Sequence, residues 1–300
     1  MKQVADWIAV DWGNSNLRLW VMDAGGILAE RRADKGILTL SGPQDFEPIL
    51  LELVEEFLAE DRVTPVLICG AAGAQGGWQM APYRAVPCTP LDASSAIFPP
   101  VTNRRLQVYI LPGLSQANPP AVLRGEETQI AGFLTQEPEF DGVLCLPGTH
   151  TMWAHISAGE VVSFMPFMTG ELFALLVGQS VLRLTLTENG FDEGEFLEAV
   201  STAISRPEKL AAGLFPLRAE AILSGLEPVS ARSRLLGLLI GAELAAAKMH
   251  WLGREVVVIG GAASTESYLT ALRAQGVAAR GYDADSAVLA GLTQAYNALR

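Results

Sequence analysis

A strand–turn–strand–turn–strand pattern occurs twice in this 300-residue chain. The first copy starts at Trp7-Ile8-Ala9-Val10 and continues through a turn at 11–16, a strand at 17–22, a turn at 23–26 and a strand at 27–30. The second starts at Val143-Leu144-Cys145-Leu146 and repeats the sequence of elements through 147–150, 151–156, 157–159 and 160–164. Gly13 and Gly148 stand 135 residues apart, and Gly25 and Gly159 stand 134 apart. Short apolar runs bounded by Gly- and Asn-containing turns read as antiparallel strands. A meander repeated at a nearly constant offset predicts two halves of related structure.

Both halves read as mixed α/β. In the first, helical spacing over 46–58 (Phe46, Ile49, Leu50, Leu53, Val54, Phe57, Leu58) is followed by apolar strands at 65–69 and 106–111. In the second, helices are expected at 170–177, 193–204, 208–223 and 231–249. A β-branched strand at 255–259 and helices at 264–274 and 285–299 complete it. The run Gln116-Ala117-Asn118-Pro119-Pro120-Ala121 has the composition of a linker. These readings give one domain at 1–124 and a second at 125–300, with the last helix, 285–299, able to cross back to the first.

Composition narrows the partners. The 21 basic and 33 acidic residues leave a net charge of −12, whereas a nucleic-acid partner calls for a basic excess. Half the residues are apolar and 18% are charged, which excludes disorder and supports large cores. Cys69, Cys88 and Cys145 form no CxxC pair, and His150, His155 and His250 lack ligand spacing, so no structural zinc is expected. There is no long apolar leader, and the longest apolar stretch, near 235–249, carries Glu243 and is too short to span a bilayer. A cytoplasmic protein with no membrane partner is expected. A Walker-type phosphate loop, GxSxG and HExxH are all absent.

Four runs carry chemistry. Asp11 ends an apolar strand and precedes Gly13, Asn14, Ser15 and Asn16. A carboxylate there can hold a divalent cation, and the turn can offer N–H groups to phosphate oxygens. Pro147-Gly148-Thr149-His150 occupies the matching place in the second half. Arg124-Gly125-Glu126-Glu127-Thr128 opens a helix near the junction of the halves. Its carboxylates can complement the helix dipole or accept the proton of an attacking alcohol. The small residues of Ile259-Gly260-Gly261-Ala262 leave room for a ring against the backbone at a helix start.

In order along the chain come Val10-Asp11-Trp12-Gly13-Asn14-Ser15-Asn16-Leu17-Arg18, Gly70-Ala71-Ala72-Gly73, Ile110-Leu111-Pro112-Gly113 and the Arg124–Thr128 run. Leu146-Pro147-Gly148-Thr149-His150, Met168-Thr169-Gly170-Glu171-Leu172 and Gly237-Leu238-Leu239-Ile240-Gly241-Ala242-Glu243 follow. This ordered set covers nearly the whole chain and resembles the signature runs of the 2-dehydro-3-deoxygalactonokinase family, within the actin/hexokinase/Hsp70 superfamily.

The resemblance implies two ribonuclease-H-like domains around a central cleft. It also implies ATP-dependent phosphorylation of the 6-hydroxyl of 2-dehydro-3-deoxy-D-galactonate, with ATP and Mg²⁺ bound. Asp11 would organise the metal. Gly13, Asn14, Ser15, Asn16, Gly148 and Thr149 would contact phosphates, and Gly260 and Gly261 would pack on adenosine. Glu126 or Glu127 would be the base, with Thr128 favouring Glu127 through its alignment with a Thr common after the superfamily's Asp. Arg18, Trp78, Arg124, Thr169 and Glu171 are the sugar-acid candidates. Two departures stand out: Glu replaces the usual Asp at the junction, and Leu146-Pro147 replaces the Asp that often precedes Gly-Thr. A same-fold kinase for another sugar acid or polyol, and a non-kinase nucleotide-binding or hydrolysing protein of this fold, are the alternatives.

Overall fold

A computed structural model describes residues 4–300. The chain divides into two compact units. One contains the chain through Phe140 together with Ser157–Ser163 and Ala284–Arg300; the other contains Asp141–Ile156 and Phe164–Asp283. The first unit thus runs past residue 124 and keeps the helix that follows Gly125.

In the first unit, β1 (Trp7–Trp12), β2 (Leu17–Asp23) and β3 (Gly26–Ala33) form an antiparallel meander. Trp7, Ile8, Ala9 and Val10 are all buried, so β1 is the central strand that its continuous apolar run suggests. Helix α1 (Phe46–Val54) stops short of the expected 46–58, and a 3-10 turn takes over at Glu55–Phe57. Strand β4 (Thr64–Gly70) pairs parallel to β1. Strand β5 (Tyr83–Ala85) lies apart, while β6 (Leu106–Ile110) pairs parallel to β4 and completes the order β3-β2-β1-β4-β6. Strands β7 (Gly113–Gln116) and β8 (Ala121–Leu123) join β5 in a small second sheet. The run at 116–121 is therefore the hairpin turn between β7 and β8, not a linker; Asn and Pro serve both purposes. Helix α2 (Glu126–Gln136) follows.

The second unit, apart from Ser157–Ser163, runs through β9 (Gly142–Leu146), β10 (Thr151–Ser157) and β11 (Glu160–Phe167) into α3 (Thr169–Gln179), α4 (Glu193–Ser205), α5 (Leu210–Leu223), α6 (Pro228–Ala246) and α7 (Lys248–Trp251). Strand β12 (Val256–Gly260), α8 (Ala262–Ala274) and β13 (Arg280–Asp283) end the unit. The sheet order is β11-β10-β9-β12-β13, which repeats the first sheet position by position. These are the two ribonuclease-H-like halves of an actin-like ATPase fold. The edge strand β13 escaped the sequence reading because Arg280-Gly281-Tyr282-Asp283 has no apolar run.

The last helix, α9 (Ala284–Leu299), belongs to the first unit and packs on α2. That approach depends on glycine. A Cβ on Gly132 would lie 1.8 Å from the Ala287 carbonyl oxygen, and one on Gly291 would lie 2.0 Å from that of Thr128. Beneath the end of β1, Trp12, Phe46 and Trp78 pack with centroid separations of 4.7, 5.6 and 6.4 Å. Among the described residues, no helix is long and apolar enough to cross a membrane.

Candidate active site

The turn after β1 has its carbonyl oxygens tied inward. The carbonyl oxygens of Gly13, Asn14, Ser15 and Asn16 all accept backbone hydrogen bonds, from Ile37, Leu38, Gly36 and Gly13 respectively. The groups that would repel a phosphate are therefore tied up, while Ser15 and Asn16 are exposed. Gly36 makes this possible, since a Cβ there would lie 2.2 Å from the Asn14 carbonyl oxygen. Its role was not legible in sequence, because the segments it joins are over 20 residues apart.

Asp11 stands at the end of β1. Its Oδ2 accepts a hydrogen bond from Arg18, which also pairs with Asp285 at the start of α9. Asp285 in turn pairs with Arg32. Oδ1 faces Gly70, where a Cβ would come within 3.3 Å. Gly70 has φ +89 and Gly125 has φ +109, and a Cβ on Gly125 would lie 3.2 Å from the Gly70 Cα. These two glycines bring the β4 end, the α2 start and Asp11 together. Among the described residues, no group of three or more His, Cys, Asp or Glu could hold a metal ion. A single strand-end carboxylate does suit Mg²⁺, which takes one or two carboxylates and completes its shell with phosphate oxygens and water.

The two glutamates at the start of α2 have different surroundings. Glu126 is half-buried, and its carboxylate accepts the Arg124 N–H at 3.0 Å. Glu127 is 0% exposed and accepts the Gly125 N–H at 2.7 Å and the Thr128 hydroxyl at 3.1 Å. Burial, and then the neighbouring Glu126 charge, push its carboxyl up to about 8.

In the second unit, the turn at Pro147, Gly148 and Thr149 is clamped from below by α3. The Glu171 N–H donates to the Thr149 carbonyl at 2.8 Å, and a Cβ on Gly170 would lie 2.1 Å from the Gly148 carbonyl oxygen. Gly148 and Thr149 themselves are exposed. Glu171 pairs with His150 at 2.7 Å. Gly260 closes against Pro147, Ser264 and Thr265, where a Cβ would come within 3.2 Å of each side chain. Next to these lies a cavity of about 600 Å³ lined by Gly148, Thr169, Phe173, Arg232, Ser264 and Tyr268 among others. That volume fits a nucleoside-sized ligand.

Under this cavity sits Glu243, 3% exposed. It accepts hydrogen bonds from Trp153 Nε1 at 2.8 Å, from the Tyr268 hydroxyl at 2.7 Å and from the Thr169 hydroxyl. The Tyr268 hydroxyl also lies 2.7 Å from that of Thr151. Burial pushes the Glu243 carboxyl above its ordinary range, against the pull of those donors. One carboxylate thus ties β10, α3, α6 and α8 together. Its sequence signal was a lone acid in an apolar helix.

Compared with known proteins, residues 11–295 match the family model described as 2-keto-3-deoxy-galactonokinase. The chain belongs to that family. It is 37% identical over 299 residues to a probable 2-dehydro-3-deoxygalactonokinase of Rhizobium meliloti, covering 97% of this chain and 96% of that one. It is 31% identical over 291 residues to the 2-dehydro-3-deoxygalactonokinase of Escherichia coli K12, covering 96% of each. A crystal structure from Sinorhizobium meliloti carrying the same kinase name superposes with a TM-score of 0.88 at 36% identity, covering 98% of this chain and 96% of that one.

Several residues proposed to bind the sugar acid are occupied with other contacts in this galactonokinase-family chain. Trp78 is 6% exposed and packs in the aromatic core, so its ring faces Phe46 and Trp12. Arg124 lies 4.1 Å over the Tyr83 ring and donates to the Ala81 carbonyl at 2.8 Å, which braces the small sheet. Thr169 is 7% exposed and donates to Glu243. Arg18 is committed to Asp11 and Asp285. Asp285, Arg32 and Arg232 are the polar groups at these sites that motif reading passed over.

Proposed function

We propose that this chain transfers the γ-phosphoryl group of ATP to the 6-hydroxyl of 2-dehydro-3-deoxy-D-galactonate, as a galactonate-catabolic kinase working in the cytoplasm. The observation that carries this reading is the family match over 11–295 on a chain that keeps both phosphate-type turns and the acidic start of α2. In the first unit, the turn with its carbonyls tied inward accepts phosphate oxygens. Asp11 holds Mg²⁺, which would neutralise phosphate charge. In the second unit, the Gly148–Thr149 turn contacts phosphate, and the cavity beside Gly260 and Gly261 receives the adenosine.

The alcohol must lose its proton as it attacks. Of the two glutamates, Glu126 reaches solvent and is held by the Arg124 N–H, so it is the proton acceptor. Glu127 has no exposed surface and retains its own proton at neutral pH, which moves the role away from the residue favoured by alignment. A polar cavity of about 380 Å³ lined by Asn16, Arg18, Arg32 and Asp34 is the proposed sugar-acid site, where the substrate carboxylate would compete with Asp285 for Arg18 and Arg32. Catalysis is then mainly positioning and charge stabilisation.

A coupled ADP-release assay with a panel of sugar acids and polyols tests this. Turnover should require ATP and Mg²⁺ and be fastest with 2-dehydro-3-deoxy-D-galactonate. Faster turnover of a different acceptor would replace the substrate, and ATP binding with no acceptor-dependent ADP would remove the kinase reading.

A further inference from the structure

Helix α5 shows solvent an apolar face. Only Leu217 of its 14 residues is buried. Phe215, Ile222 and Leu223 are 65%, 63% and 83% exposed. A surface helix ordinarily turns its charged residues outward. Here Arg218, one helical turn from both Phe215 and Ile222, is bound back onto the protein, donating to the Leu184 carbonyl and the Thr185 hydroxyl. Glu220 is likewise held by Arg234. The Arg218 bonds draw the 3-10 turn Val181–Leu184 alongside, adding Leu184 and Val181, 64% and 51% exposed.

These five side chains leave on the order of 500 Å² of apolar surface in one patch, at the upper end of what a monomer shows. A standard interface takes roughly 800 Å² from each partner, and its core is about 65% apolar. The patch therefore supplies the apolar share of one full interface.

We propose that this face is a homodimer interface, with α5 of one protomer packed against α5 of its partner across a two-fold axis. A second copy is the fitting occupant because the apolar stripe of Phe215, Ile222 and Leu223 is complementary to itself, and a two-fold buries it twice, giving the area a stable dimer needs. A different protein would ordinarily be selected by charge complementarity, and beside the stripe the adjoining turn offers Arg183 while Arg218 and Glu220 are paired within the chain. A lipid surface is disfavoured because interfacial helices carry Lys and Arg on their polar face, whereas α5 has one bound Arg and the chain carries −12.

Sedimentation equilibrium on the full chain across a micromolar concentration range tests the proposal. The wild type should run at about twice the 32.0 kDa chain mass. Leu223→Glu and Phe215→Asp, both at exposed positions, should weaken self-association at least tenfold with an unchanged circular dichroism spectrum. Ile222→Lys repeats the question should either variant misfold. A wild type of single-chain mass throughout would overturn the proposal, as would a dimer that survives the substitutions. Co-flotation of the wild-type chain with phosphatidylcholine or phosphatidylserine vesicles would overturn it in favour of a lipid surface.

Discussion

Replacing Glu127 with Gln should free the protein from a pH-dependent loss of stability. The carboxyl is 0% exposed, and burial followed by the Glu126 charge raises its pKa from 4.5 to about 8. In the unfolded chain it returns to the ordinary glutamate value, about 4.3. Between those values the folded protein keeps a proton that the unfolded chain has released. The stability linked to that proton is complete below the unfolded value and is lost as pH rises toward the folded one. At about 1.4 kcal/mol per pKa unit, the loss between pH 5 and 8 is on the order of 3 kcal/mol. That is a large part of a typical domain stability of about 5–15 kcal/mol.

Gln retains an oxygen to accept the Gly125 N–H but cannot ionise. Urea unfolding followed by tryptophan fluorescence is the assay, since Trp12 and Trp78 lie in the core of the same unit. The stability difference between Glu127→Gln and wild type should move in favour of the variant by about 3 kcal/mol from pH 5 to 8. Parallel curves over that range would refute the buried, protonated carboxyl. Turnover at pH 7 should stay within a few-fold of wild type; its collapse would give Glu127 the role of base.

Glu126→Gln should lower kcat by roughly 10²–10⁴ with little change in sugar-acid KM, as expected for loss of a general base; steady-state kinetics decide this, and normal kcat would place the base elsewhere. Asp11→Asn should abolish Mg-ATP turnover while the circular dichroism spectrum is retained, and near-normal turnover in the folded variant would remove Asp11 from the metal role. Gly170→Ala puts a Cβ 2.1 Å from the Gly148 carbonyl, so the turn must shift; ATP KM should rise tenfold or more, with about 1–3 kcal/mol lost in thermal unfolding. Glu243→Leu leaves Trp153, Thr169 and Tyr268 without their shared acceptor. It should cost about 3–5 kcal/mol by chemical denaturation, and a neutral result would show that the network does not brace the cavity.

The sequence by itself determined the parts of this protein that depend on local pattern. Turn glycines and short apolar runs marked both meanders, and their spacing announced the duplication that the two sheet orders share. The strand-end Asp11 and the Gly148–Thr149 turn were legible because each is a short run of unusual chemistry. Local pattern also misled. The run at 116–121 has a composition common to linkers and hairpins, and only the pairing of β7 with β8 distinguishes them.

Tertiary structure decided what each side chain is free to do. Trp78 looked like a ligand platform but is enclosed by Phe46 and Trp12. Glu126 and Glu127 are neighbours of the same type, and burial, reinforced by the charge of Glu126, keeps the proton on Glu127 while Glu126 stays accessible. Arg18, Gly36 and Gly170 draw their roles from partners over 20, and in one case over 260, residues away where the pairs are Gly36–Asn14, Gly170–Gly148 and Arg18–Asp285. Desolvation and close approach depend on what the rest of the chain brings near, and the identity of a residue does not encode that.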